Sequence, residues 1–224
     1  MEPPPLRSGD LRPIPASQVF GFGAILAPAG RAAHPQGAPQ ISRPLGGTRG
    51  DMYTARCTGE VLQAMHLPAA ALDQPPSTAL GDWYVDFINM RSHRLVHFVS
   101  DRSLLSVVVP VKTLKTALDR HIASLHDLLE DLAVPQAIIQ AELDEMRERA
   151  VGKTQSRSVL ASMRELAITV RRILAEAPRA STLEISHELA RVPSGPSPIA
   201  FPADVAIGLL HKRHSNPTRE VRGA

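Results

Sequence analysis

Two spacings of apolar residues divide the ordered part of this chain. Trp83 to Met90, Leu95 to Val99 and Leu104 to Val109 are short runs rich in aromatic and β-branched residues. The turn-like segments Arg91-Ser92-His93 and Ser100-Asp101-Arg102 separate them, so an antiparallel β-meander is predicted. The last run is almost continuously apolar, as a strand buried on both faces should be. Upstream, Met52 to Cys57 reads as a short strand and Gly59 to Met65 as a short helix closed by Pro68. Downstream the spacing lengthens to about 3.6 residues. Leu114, Leu118, Ile122, Leu125, Leu129 and Leu132 form one helical stripe, and Ile138, Ile139, Leu143 and Met146 a second one after Pro135. Val159, Leu160, Met163, Leu166, Ala167, Val170 and Leu174 give a third helix a wide buried face. Ser181 and Glu184 have the spacing of a capping box ahead of Ile185 and Leu189, which starts a last short helix closed by Pro193. The expected class is α+β: a small, mainly antiparallel sheet covered by the C-terminal helices.

Composition changes the picture at the two ends. Nine of the 20 prolines and eight of the 14 glycines fall within the first 50 residues, too many for a packed helix or sheet. Residues 1–51 are therefore expected to be a disordered Pro/Gly-rich leader, with Met52 a candidate natural start. Residues 52–210 form a single α+β domain in this reading, and 211–224 a basic flexible tail. Positive charge follows the same division. The leader carries five arginines against Glu2 and Asp10, whereas residues 51–210 hold 16 Lys and Arg against 19 Asp and Glu. The basic isoelectric point of about 9.4 thus belongs to the ends, which weakens any argument from it to nucleic acid.

Cys57 is the one cysteine, so neither an internal disulfide nor a multi-cysteine zinc site is available, and a reducing, cytoplasmic setting is expected. No stretch approaches the roughly 20 apolar residues of a membrane span. Gly152-Lys153-Thr154 invites comparison with a phosphate loop, but the first glycine of that loop is replaced by Arg147 and a helix is expected before it. His187-Glu188 lacks the second histidine of a zinc-protease helix, since Arg191 stands there. His121 and His126 are five apart and diverge on a helix. No metal site and no cofactor are expected.

Several strings in order, Arg56-Cys57-Thr58, Gly81-Asp82-Trp83-Tyr84, Arg157-Ser158-Val159-Leu160 with Ser162-Met163, then Glu188-Leu189 and Arg191 with Pro193, carry a family likeness. Over about residues 52 to 210 the chain resembles a bacterial family catalogued as domain of unknown function 6933. Ala161 and Arg164 depart from that family's pattern, which has Gly and Asn there. The resemblance implies a fold and no particular activity.

Two candidate sites remain. Lys153, Ser156, Arg157 and Ser158 gather cations and hydroxyls at an expected helix start, where unpaired N–H groups attract anions. Asp82 and Trp83 form the second candidate, Asp82 as an acid or base, beside the plainer reading of a turn with Trp83 in the core. Two functions follow. One is a non-enzymatic binding or adaptor module with a protein partner. The other is an enzyme or binder acting on a phosphate-bearing ligand or nucleic acid through Lys153 to Ser158. Convergence of that helix start and Asp82 on one pocket would favour the second; separation or burial would favour the first.

Overall fold

A computed structural model describes residues 52–66, 76–90, 94–111, 113–194 and 200–214. The expected leader and the tail beyond His214 lie outside the described residues. The elements in chain order are β1 (Met52–Cys57), α1 (Gly59–Met65), β2 (Trp83–Asn89), β3 (Arg94–Ser100), β4 (Ser106–Pro110), α2 (Leu114–Asp131), α3 (Gln136–Glu145), β5 (Glu148–Lys153), α4 (Arg157–Glu176), α5 (Thr182–Ala190) and α6 (Pro202–His214).

The class is α+β, with one five-stranded sheet in the order β4-β3-β2-β1-β5. The expected meander is its antiparallel half, Trp83 facing Ser100 and Leu95 facing Pro110. The other half is parallel: β1 lies beside both β2 and β5, with Ala55 opposite Trp83 and Val151. Strand β5 corrects the sequence reading, which placed no strand between the second helix and the third. Its six residues, ERAVGK, carry three charges and a glycine, a pattern that edge strands tolerate because only one side of the ladder is filled. Helix α6 is the second addition, and it carries the domain's ordered helix four residues into the expected tail.

Alternation along the strands sorts side chains onto two faces. On one, Tyr53, Ala55, Trp83, Val85 and Phe98 pack against Leu118, Leu125, Leu128 and Leu129 of α2, Ile139 of α3 and Leu210 of α6. On the other, Tyr84, Ile88, Leu95, Val99 and Val108 meet Val159, Met163, Leu166, Val170 and Leu174 of α4 and Ile185 and Leu189 of α5. Burial on both faces explains why β4 reads as an almost continuous apolar run.

Polar side chains inside the domain hold backbone in place. Glu142 of α3 is fully buried, and its two carboxylate oxygens accept the N–H groups of Ala79 and Leu80, both at 2.9 Å. That turn ends at Gly81, whose φ of 80° suits glycine, and a Cβ there would run into the Asp101 carboxylate. At the outer edge of the sheet, the Val108 N–H of β4 donates to Ser186 Oγ of α5 at 2.9 Å. The capping box at Ser181 and Glu184 forms as expected.

Candidate functional site

Helix α4 begins immediately after β5, and its first turn is closed by its own residues. Ser156 is the N-cap, its hydroxyl accepting from Val159 N–H at 3.3 Å and lying 3.1 Å from the Ser158 hydroxyl. The Gln155 and Ser156 N–H groups both donate to the Tyr84 hydroxyl, at 3.4 and 2.8 Å. Several donors that an anion would use are therefore occupied. Lys153 and Arg157 are exposed and form no ion pair with a described residue. The phosphate-loop comparison needs one correction: a strand, not a helix, precedes Gly152-Lys153-Thr154. Yet Gly152 and Lys153 pair with Arg56 and Cys57 inside the ladder, and position 147 remains arginine, so no phosphate cradle forms.

Asp82 lies elsewhere. It is 2% exposed, at the entrance of β2. Its Oδ2 takes the Arg56 guanidinium through two contacts of 2.8 Å, and its Oδ1 accepts the Thr54 N–H at 2.9 Å. Such a saturated carboxylate fixes the parallel pairing of β1 with β2 and has no free oxygen for proton transfer. Asp82 is thus spent on Arg56 and Thr54, and it shares no hydrogen bond with Lys153, Ser156, Arg157 or Ser158 among the described residues. Trp83 is fully buried, its ring meeting His121 edge-on at 4.5 Å between centroids.

Other reactive groups are quenched by burial. The Cys57 thiol is pushed up to about 12 by desolvation, which removes it as a nucleophile at neutral pH. His187 pairs with Asp131 of α2 at 2.8 Å, tying α5 to α2. Glu142, Glu145 and His214 have oxygen and nitrogen atoms within 4.8 Å of one another. However, Glu142 is committed to two backbone N–H groups and to His214 Nε2 at 3.0 Å, and Arg213 lies 3.5 Å from Glu145. This cluster clamps α6 to α3.

What the sequence reading missed is the outer face of α4. Arg157, Arg164 and Arg171 recur every seven residues and so share one stripe about 21 Å long. All three are exposed and none forms an ion pair among the described residues, whereas Arg94, Arg147, Arg149 and Arg172 each sit within 4 Å of a carboxylate. Ile168, 64% exposed, lies between Arg164 and Arg171. Beneath this stretch a cleft of about 220 Å³ opens between α4 and strands β2 and β3, with Asp86, His97, Met163 and both flanking arginines in its lining. The regular spacing was the available signal for the stripe, and Asp86, a lone charge within an apolar strand, was the signal for the cleft.

A family model described as Domain of unknown function (DUF6933) matches residues 54–205. The chain belongs to that family. No curated protein and no solved structure matches it. The match to DUF6933 spans β1 through the start of α6 and takes in both the α4 stripe and the cleft. Within this DUF6933 domain no described helix is long and apolar enough to cross a membrane.

Proposed function

We infer that this DUF6933 domain is a non-enzymatic binding module whose docking surface is the outer face of α4, and that its partner is a protein with an acidic surface. The observation that carries the reading is the row Arg157, Arg164 and Arg171, which forms no ion pair among the described residues, around the exposed Ile168. An apolar anchor flanked by arginines matches the composition of a protein interface core, since arginine anchors binding energy and apolar contacts exclude water around it. Charge complementarity along such a row also speeds encounter. Single-stranded nucleic acid is bound on aromatic rings that stack its bases, and α4 carries none. The anion reading through Lys153 to Ser158 contributes to this surface at its N-terminal end, where Lys153 and Arg157 extend the positive row. Saturation of Asp82 and burial of Cys57 both favour binding over catalysis.

A photo-crosslinking amino acid placed at Ile168 in cells tests this. One discrete protein adduct is expected, lost when Arg157 and Arg171 are both changed to Glu in the same chain. Absence of any adduct, or an adduct indifferent to the charge reversal, would refute the reading.

A further inference from the structure

The cleft beneath α4 separates opposite charges that do not meet. Asp86 Oδ1 accepts from the Thr58 hydroxyl at 2.8 Å and from the Phe87 N–H at 2.9 Å. Its second oxygen takes no hydrogen bond among the described residues, and neither Arg164 nor Arg171 forms an ion pair with it. A carboxylate on the strand side and two guanidiniums on the helix side thus line one space without neutralising each other.

His97 supplies an independent observation. It is fully buried in the cleft lining, opposite Asp86 across the β2–β3 pair. The Ser106 hydroxyl lies 3.2 Å from His97 Nε2 and 3.3 Å from the Leu104 carbonyl, and with its own proton on that carbonyl it accepts the Nε2–H. In that tautomer Nδ1 is an acceptor with no partner among the described residues. Burial pushes the ring down to about 3, so it stays neutral at physiological pH. A buried acceptor of this kind calls for a donor.

We propose that the cleft binds a free aliphatic α-amino acid, its ammonium held by Asp86 and the His97 acceptor, its carboxylate by Arg164 and Arg171, and its side chain against Met163 and Ile168. The ammonium group is the fitting head because it offers three donors and a positive charge to an anionic acceptor and a neutral one. The carboxylate matches the planar guanidinium fork. Met163 lines the cleft beside His97, and its unbranched, flexible side chain is suited to giving way to a ligand. The site shares Arg164 and Arg171 with the protein-docking surface but does not depend on that partner.

The test is calorimetric titration with L-leucine, beside 4-methylpentanoate, which lacks the ammonium, and isoamylamine, which lacks the carboxylate, with histidine side-chain nitrogen resonances followed in parallel. L-leucine is expected to bind, to raise the melting temperature and to shift the His97 Nδ1 resonance. Both truncated probes should bind about tenfold or more weakly, the loss of one charge-assisted contact. Asp86→Asn keeps the acceptor for Thr58 and should weaken leucine while leaving 4-methylpentanoate unchanged. Arg164→Asn with Arg171→Ala should weaken leucine while leaving isoamylamine unchanged. No binding by leucine, valine, isoleucine or methionine at millimolar concentration overturns the proposal, as does leucine binding that ignores Asp86→Asn. Lys153→Ala with Arg157→Ala separates the two readings, since it should weaken the Ile168 crosslink and leave leucine binding intact.

Discussion

Acid should unfold this domain in a range where carboxylates are still ionised, because two neutral histidines are sealed inside it. His121 stacks on Phe98 with ring centroids 4.2 Å apart and planes 7° from parallel, and its Nε2 has no partner among the described residues. His97 is equally buried beneath α4. Desolvation pushes both down to about 3 from an ordinary value of 6.5. The unfolded chain therefore takes up two protons as the pH falls below about 6.5, and the native state refuses them until about 3. Their stabilising contribution is full above the unfolded value and is lost as pH falls toward the native one. Between about pH 7.5 and 5, each histidine should cost about 2 kcal/mol of stability, about 4 together. That is a large part of the 5–15 kcal/mol typical of a domain. Asp101 acts in the opposite sense. Burial and then the neighbouring Asp82 push its carboxyl up to about 6, so its contribution is full below its ordinary value of 3.8, is lost as pH rises through about 6, and partly offsets the histidines. Urea unfolding at successive pH values measures the slope. The double variant His97→Gln with His121→Phe keeps a donor for Ser106 and the stack on Phe98, and it should abolish the loss over the same range, leaving the opposite trend of Asp101. An equally steep profile in the double variant would refute the argument and place the acid sensitivity among the carboxylates.

Trp83→Ala empties a fully buried site between α2 and the sheet and should cost about 3–5 kcal/mol in chemical denaturation. Arg56→Ala leaves Asp82 buried beside the Thr54 N–H without its cation, for a loss of about 3–5 kcal/mol; changing Arg56 and Asp82 together to Met and Leu should recover most of it, as measured by urea midpoints. Gly81→Ala forces a side chain into the Asp101 carboxylate at a φ of 80° and should lower stability by about 1–3 kcal/mol, visible as a drop in melting temperature.

The helices with strong stripes were legible because a single face of each is buried: Val159, Met163, Leu166, Val170 and Leu174 follow the turn of α4 closely. The meander was legible for the matching reason, with β-branched residues filling a sheet covered on both sides. Parallel pairing was not, because β1 and β5 meet only through folding, and the segment Glu148 to Lys153 carries the charges and glycine of a surface loop. Helix α6 escaped notice because Pro202 and small residues such as Ala203 and Ala206 supply its buried face, where close approach rather than bulk makes the contact. At the site, Asp82 looked reactive because a sequence displays a carboxylate but not the Arg56 and Thr54 that saturate it. His97 could not have been singled out, since in the sequence it occupies an ordinary alternating position of an apolar strand.

The hydrogen bond from Val108 to Ser186 carries a consequence for self-association. A free strand edge is a template on which another chain can add its own backbone, and each added strand renews the template. Here an outward donor of the terminal strand is already consumed by a neighbouring helix, so an incoming strand on that side must first displace Ser186. The opposite border, β5, is guarded instead by Glu148, Arg149 and Lys153, whose charges would be stripped of water by any strand laid beside them. The two ends of one sheet are thus protected by unlike means, one by occupation and the other by hydration, and a change that defeats either leaves the other in force.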